Sequence, residues 1–178
     1  LQSFNLASNP NLGDFHEDLG EFVASENISK TLQIFYLTFN NLTVLPDMSM
    51  VKKLGKLDCA YNKIKTIEKA FGRDVNLVQE LPRDENGSFC GYADVESFSF
   101  AYNKLKKFPN IFSSHSVYVM SSVNFSFNEI DGFEGEEDGT FKGVNANTIA
   151  IGGNKLKKFP TILFKTNSQV SALGLNGN

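Results

Sequence analysis

The side chains able to do acid–base, nucleophilic or metal chemistry are few and scattered. The chain has two histidines, His16 and His115, far apart in sequence. The Ser-Ser-His-Ser run around His115 lacks the strand-to-helix elbow that presents a nucleophile. There is no P-loop, no G-x-G-x-x-G after a strand and no H-E-x-x-H. Two cysteines, Cys59 and Cys90, with no histidine nearby, cannot complete a structural zinc site. The one dense titratable cluster is Glu129, Asp131, Glu134, Glu136, Glu137 and Asp138, within "EIDGFEGEEDG". Carboxylates at this density can bind calcium, but their spacing is not that of an EF-hand loop. They read instead as an exposed acidic loop that answers nearby lysines. The expectation is a chain that is not an enzyme, with no metal and no cofactor.

What recurs is a structural phrase rather than a chemical one. It runs apolar, two variable, apolar, one variable, apolar, two variable, Asn. Its copies are Leu1-Phe4-Leu6-Asn9, Leu32-Phe35-Leu37-Asn40, Leu54-Leu57-Cys59-Asn62 and Val95-Phe98-Phe100-Asn103, then Met120-Val123-Phe125-Asn128, Ala146-Ile149-Ile151-Asn154 and Val170-Leu173-Leu175-Asn178. Strand side chains alternate faces, so the second and third apolar positions point the same way. The Asn follows where the strand ends and the chain must turn inward. Its amide carries both a donor and an acceptor, and can satisfy turn backbone that no strand reaches. Cys59 sits at a third apolar position and reads as a small buried hydrophobe, with a bond to Cys90 as the alternative.

This phrase resembles the leucine-rich repeat, L-x-x-L-x-L-x-x-N-x-L. Most copies add the apolar residue two past the Asn: Leu42, Ile64, Leu105, Ile130 and Leu156, with Leu12 offset in the first. Several add a further anchor, at Leu45, Ile67, Phe108, Phe133 and Phe159. Pro46, Pro109 and Pro160 follow three of these and call for extended or turning return segments. One repeat cannot bury its apolar face alone, so neighbours stack into one continuous core. The expected fold is an α/β solenoid of leucine-rich-repeat type. Its curved parallel sheet has about seven short strands, right-handed in its winding. Loops, 3₁₀ turns or short helices form the convex side. Frequent Phe in place of Leu should give larger, flatter core slices.

Spacing along the chain is uneven. "FHEDLGEFVA" in the first gap has near-helical apolar spacing. The gap from Asn62 to Asn103 is the longest, with a short helix expected at "VNLVQEL" and turns at "PRDENGSFCG". "NKLKKFP" occurs verbatim at 103–109 and 154–160, a mark of internal duplication. Both ends fall on pattern positions without polar caps, so 1–178 is expected to be one leucine-rich repeat domain within a longer protein.

Four surfaces follow from the repeat. Tyr36, Asp58, Ser99 and Asn124 lie between the second and third apolar positions, in a column with Asn5, Ala150 and Gly174. A parallel column holds Ala7, Thr38, Ala60, Ala101, Ser126, Gly152 and Asn176. Both should face solvent on the concave sheet, as small, mostly neutral side chains. Phe39, Tyr61, Tyr102 and Phe127 stand just before the Asn and form an aromatic rim. It reads either as a ladder shielding the Asn turn or as a platform for sugars. Lys63 and Lys65, then Lys104, Lys106 and Lys107, then Lys155, Lys157 and Lys158 form a basic stripe, either a solvated flank or an attractor for an acidic partner or anionic polysaccharide. N-x-S/T sequons occur at Asn27, Asn41, Asn86 and Asn124.

A net charge of −3 and a pI near 5.4 argue against a general nucleic-acid binder. No apolar run reaches the ~18 residues of a membrane span. More narrowly, "LDCAYNKI", "FSFAYNKLKKFP" and "SSVNFSFNEI" resemble repeats in large secreted or surface-attached proteins of gut Bacteroidetes. The resemblance implies a non-catalytic module that binds a protein partner through its concave face, at Tyr36, Asp58, Ser99 and Asn124. It also implies an extracellular or cell-surface location, with lipid anchoring through sequence N-terminal to Leu1. The alternatives are a glycan-binding surface module using the aromatic rim, and a structural spacer in a larger surface protein.

Overall fold

The computed structural model describes residues 1–11, 15–48, 50–51, 54–67, 70, 97–110, 120–141, 143–144, 146–164 and 170–178. One strand forms at each repeat phrase. These are β1 (Ser3–Asn5), β2 (Ile34–Tyr36), β3 (Lys56–Asp58), β4 (Ser97–Ser99), β6 (Met120–Asn124), β8 (Ala146–Ala150) and β9 (Ala172–Gly174). They make a seven-stranded sheet in chain order, and every pairing is parallel. The register is unbroken. Phe4, Phe35, Leu57, Phe98, Val123, Ile149 and Leu173 stand side by side across all seven strands. This is the expected leucine-rich-repeat solenoid.

The core is built from the same positions in each slice. Second-position Phe35, Leu57, Phe98, Val123 and Ile149 are buried, as are third-position Leu37, Cys59, Phe100, Phe125 and Ile151. First-position Leu32, Leu54, Met120 and Ala146 close the slices from below. Leu42, Ile64, Leu105 and Ile130 close them beyond the Asn turn. Full burial of each large apolar side chain contributes about 1.5–3 kcal/mol. In the middle of the chain the extra Phe residues form a cluster. Phe125 packs on Phe100 with centroids 5.2 Å apart and on Phe108 at 4.7 Å, and Phe133 meets Phe141 edge-on at 5.5 Å.

Return segments vary as the spacing predicts. The first carries α1 (His16–Ala24), whose Leu19 and Val23, one helical turn apart, point into the core. Glu17 and Asp18 sit in its first turn, where they complement the helix dipole. Ser25 then adopts an extended conformation, its hydroxyl donates to the Phe22 carbonyl, and α2 (Glu26–Thr31) restarts the helix. Pro46, Pro109 and Pro160 are buried and lie outside α-helix, as expected. A feature not anticipated is a two-stranded parallel sheet on the return side, β5 (Lys107–Phe108) with β7 (Gly132–Phe133). It places Phe108 and Phe133 in the core.

Three expected core positions at the outer repeats stand out as not buried. Phe159, the repeat equivalent of Phe108 and Phe133, is 63% exposed, and Leu156 is only half-buried. No strand pairs with the Phe159 segment among the described residues. A 3₁₀ turn at Thr161–Phe164 follows instead and buries Leu163. Leu1 is likewise exposed, because the first repeat packs against a neighbour on one side only. Leu12, Val95, Cys90, His115, Asn86, "VNLVQEL" and "PRDENGSFCG" lie outside the described residues.

Candidate functional site

The Asn of each repeat organises the surface around it. Asn103 is buried, and its amide Nδ2 donates to the Phe100 carbonyl of its own repeat at 3.1 Å and to Cys59 of the previous one at 2.9 Å. Its Oδ1 accepts the Ile64 N–H at 2.9 Å. Asn128 and Asn154 repeat the arrangement one and two slices on, with Leu105 and Ile130 as donors. Asn62 receives two N–H groups, from Asn40 and Leu42. Asn40 reaches back to Leu6 and receives the Asn9 N–H. Asn9 and Asn178, at the two outer slices, are part-buried and exposed but keep the bond to their own third-position carbonyl. The expected Asn column is thus a continuous hydrogen-bonded ladder. Buried turn backbone is satisfied along its length, as burial demands.

The residue before each Asn makes the turn. Ser8, Phe39, Tyr61, Tyr102, Phe127, Gly153 and Gly177 all have φ between 56° and 76°. Holding an L-residue in this left-handed region costs about 1–2 kcal/mol. Four repeats spend an aromatic there. Their rings stack in sequence, Phe39 on Tyr61 at 4.3 Å, Tyr61 on Tyr102 at 4.3 Å and Tyr102 on Phe127 at 4.4 Å, all within 13° of parallel. Each contact returns about 0.5–1.5 kcal/mol. At the far end Gly153 lies against Phe127. A Cβ there would fall 2.6 Å from the ring. The aromatic rim is therefore a continuous stack, covered at the Phe127 end by Gly153. The rings remain 40–50% exposed, but both faces of Tyr61 and of Tyr102 meet neighbouring rings. Partial desolvation, with a hydrogen bond to Tyr61, raises the Tyr102 hydroxyl above the ordinary tyrosine value.

The concave face carries the expected column. Asn5, Tyr36, Asp58, Ser99, Asn124, Ala150 and Gly174 are in register on successive strands. Tyr36, Asp58, Ser99 and Asn124 are half-buried. Three of the column's acceptors are used locally: Asn5, Asp58 and Asn124 each accept the N–H two residues on, which pins the strand exit. The next column faces solvent only in part: Ala7, Thr38 and Ser126 are half-buried and Asn176 is exposed, but its other members are covered. Ala60 and Ala101 are 7% and 5% exposed, and a Cβ on Gly152 would sit 2.8 Å from the Asn176 carbonyl oxygen. Adjacent turns approach so closely there that only small side chains fit. A column on the other side went unread in the sequence: Ser3, Ile34, Lys56, Ser97, Ser122, Thr148 and Ala172, again in register. Two-residue alternation places it on the same face as Tyr36 and Ser99. Lys56 Nζ lies 5.4 Å from the Tyr36 ring centroid, within cation–π range.

The lysine stripe is interrupted by acids at matching positions. Glu129 stands between Lys104 and Lys155, at 3.7 and 3.2 Å. Asp131 pairs with Lys107 at 2.9 Å. The Lys155 hydrogen bond and charge hold Glu129 below the usual carboxylate range, and the Lys107 hydrogen bond does the same for Asp131. Of the other acids, Glu134 accepts the Asn110 N–H and Asp138 accepts the hydroxyl and N–H of Thr140. The acidic segment thus answers the lysines and its own turn. Among the described residues no three of His, Cys, Asp and Glu converge on one point. The Cys59 thiol is free and buried, and desolvation followed by the Asp58 charge pushes it well above its ordinary value. Among the sequons, Asn27 lies in α2, Asn41 donates to the Pro10 carbonyl and Asn124 is held mid-sheet.

No protein-family profile matches the chain. No curated protein matches it either. Among solved structures it is similar to a leucine-rich repeat protein from Bacteroides eggerthii DSM 20697, at 35% identity and a TM-score of 0.65 over all of this chain. It is also similar to one from Bacteroides thetaiotaomicron VPI-5482, at 37% identity and a TM-score of 0.61 over 97% of this chain. The chain spans 32% and 22% of the lengths of those two proteins. With the repeat phrase, the Asn ladder and the parallel sheet in agreement, the chain is a leucine-rich repeat solenoid that resembles the leucine-rich repeat proteins of Bacteroides.

Proposed function

We propose that this chain is a non-catalytic recognition module that binds a protein partner through its concave face. The observation that carries the reading is the unbroken register of the sheet. It sets Tyr36, Asp58, Ser99 and Asn124, and the adjoining Lys56, Ser97 and Ser122, in two straight rows on a surface locked by the Asn ladder. A preorganised surface loses little conformational entropy on binding. Rows of short hydroxyls allow a partner's backbone to approach closely. The aromatic stack counts against a sugar platform at its centre, since stacking on a sugar needs a free ring face and those of Tyr61 and Tyr102 are taken by neighbouring rings. A spacer would need only the core and the Asn ladder. On this reading the chain is one leucine-rich repeat domain of a longer protein, displayed outside the cell or on its surface. Within the described residues no helix is long and apolar enough to cross a membrane.

The test is capture of partners from host and bacterial surface extracts with the native chain and with Ser99→Arg/Ser122→Arg. Those serines are chosen because their side chains hold no turn. A protein retained by the native bait and lost by the folded variant supports the reading. Equal retention by both sinks the concave face, and loss by Tyr61→Ala and Tyr102→Ala alone would move recognition to the rim.

A further inference from the structure

The basic stripe is not uniform, and its asymmetry defines a site. In the later repeats Glu129 and Asp131 occupy the stripe and pair with Lys155 and Lys107. Between the third and fourth repeats no acid is interposed among the described residues. There a groove of about 680 Å³ is lined by Thr43, Lys63, Lys65, Lys104, Lys106 and Glu129. Four ammonium groups against one carboxylate, itself bonded most closely to Lys155, leave a formal charge of +3 in the groove. The whole chain carries −3. Among the described residues Lys63, Lys65 and Lys106 have no ion-pair partner, and Lys104 has only the 3.7 Å contact to Glu129. Concentrating like charge costs folding energy through self-repulsion, and the duplicated stripe elsewhere shows that this sequence can supply acids at the same positions.

We propose that this groove binds a linear anionic polysaccharide. The backbone ladder continues past the Asn turn, with the Lys63 N–H on Leu42 and the Lys104 N–H on Ile64. Lys63 and Lys104 are therefore neighbours about one 4.8 Å strand spacing apart, and Lys65 and Lys106, two residues further on in the same repeats, line the groove with them. Two pairs of cations suit a ligand whose charges recur along its length rather than a lone phosphate. Among the described residues no apolar side chain lines the groove, whereas protein interfaces centre on apolar and aromatic anchors and are poor in lysine. A single-stranded nucleic acid would want aromatic faces to stack on. The neighbouring Tyr61 and Tyr102 have theirs occupied by each other and by Phe39 and Phe127. A polysaccharide needs neither, offering charges to the lysines and hydroxyls to the groove walls.

The experiment titrates the intact chain with heparin oligosaccharides across a salt series, with neutral dextran, poly-glutamate and single-stranded DNA as competing probes. Lys65→Gln/Lys106→Gln is compared with Lys30→Gln/Lys158→Gln, an equal loss of charge elsewhere. The groove variant is expected to bind heparin about tenfold more weakly at low salt. Its slope against log salt should be shallower by about 2. The control variant should match the native chain. Lys65→Arg/Lys106→Arg should keep binding, which separates a charge role from a folding one. No heparin binding by the native chain, equal loss in the two Gln variants, or tighter binding of poly-glutamate or DNA would each overturn the proposal. None of these outcomes bears on the concave face, whose test uses different residues.

Discussion

Removing one rung of the Asn ladder has a cost that can be worked atom by atom. In Asn103→Ala three carbonyls lose a donor, but none is left bare. Cys59 O still accepts from Asn62, Phe100 O from Asn128, and Ala101 O from the Tyr61 N–H. What is stranded is the Ile64 N–H, whose partner is Asn103 Oδ1. A buried unpaired N–H costs about 1–3 kcal/mol, and the weakened carbonyl contacts add about 1 kcal/mol, giving about 3 kcal/mol in all. At about 2–4 °C per kcal/mol for a chain of this size, the melting temperature should fall by about 6–12 °C. Asn62→Ala should cost more. It strands two N–H groups, of Asn40 and Leu42, and the Leu37 carbonyl, whose donor among the described residues is Asn62. Asn178→Ala, at an exposed outer slice, should cost least. Urea and thermal unfolding followed by circular dichroism gives the order Asn62 > Asn103 > Asn178. Equal losses at Asn62 and Asn103, or a loss below about 1 kcal/mol at Asn103, would refute the shared-carbonyl argument.

Other consequences can be checked on the same material. Tyr102 holds φ of 56° and two ring contacts, so Tyr102→Ala loses the stack and keeps the strain, while Tyr102→Gly loses the stack and releases the strain. Glycine should therefore be the less destabilising by about 1 kcal/mol, the reverse of the usual strand order, and unfolding midpoints decide it. Gly153→Ala meets both a φ of 65° and the Phe127 ring at 2.6 Å, and should lower stability by at least about 1–2 kcal/mol; an unchanged midpoint would mean the ring moves freely. The raised Cys59 thiol stays protonated in the fold after an unfolded thiol has ionised, near pH ~8.5. Its stabilising contribution is complete below that pH and declines by about 1.4 kcal/mol per unit as pH rises towards the folded value. Cys59→Ala should flatten that decline, and alkylation mapped by mass spectrometry should spare Cys59 until the chain unfolds.

The fold was legible because its signal repeats. A single Leu-x-Leu says little, but the same offsets in successive slices set strand, turn and core together, and β2, β3, β4, β6, β8 and β9 fall where the phrase puts them. The α1 helix was legible from Leu19 and Val23 one turn apart. The β5–β7 pairing was not, since two residues carry no periodicity and the pairing depends on what stacks next to them. Phe159 fails for the same reason. Its local sequence is identical to that around Phe108, yet Phe108 has a paired neighbour strand and Phe159 has none among the described residues. The left-handed turn was invisible in a second sense. Phe and Tyr are not residues one reads as φ > 0, and only Gly153 and Gly177 at the same offset hint at it.

The structure also separates which candidate residues are free to recognise anything. Asn5, Asp58 and Asn124 stand on the concave face, but each commits an oxygen to the backbone two residues on. Replacing them disturbs the strand exit as well as any contact, so their mutation alone cannot identify a binding face. Ala60, Ala101 and Gly152 are small because neighbouring turns crowd them, not because a ligand approaches. The hydroxyls of Ser97, Ser99 and Ser122 have no hydrogen-bond partner among the described residues, and Tyr36 meets Lys56 across one strand step. These side chains can be altered without removing a turn, a cap or a rung. If the concave face selects a partner, the selectivity that mutation can isolate lies in this serine strip and the Tyr36–Lys56 pair beside it.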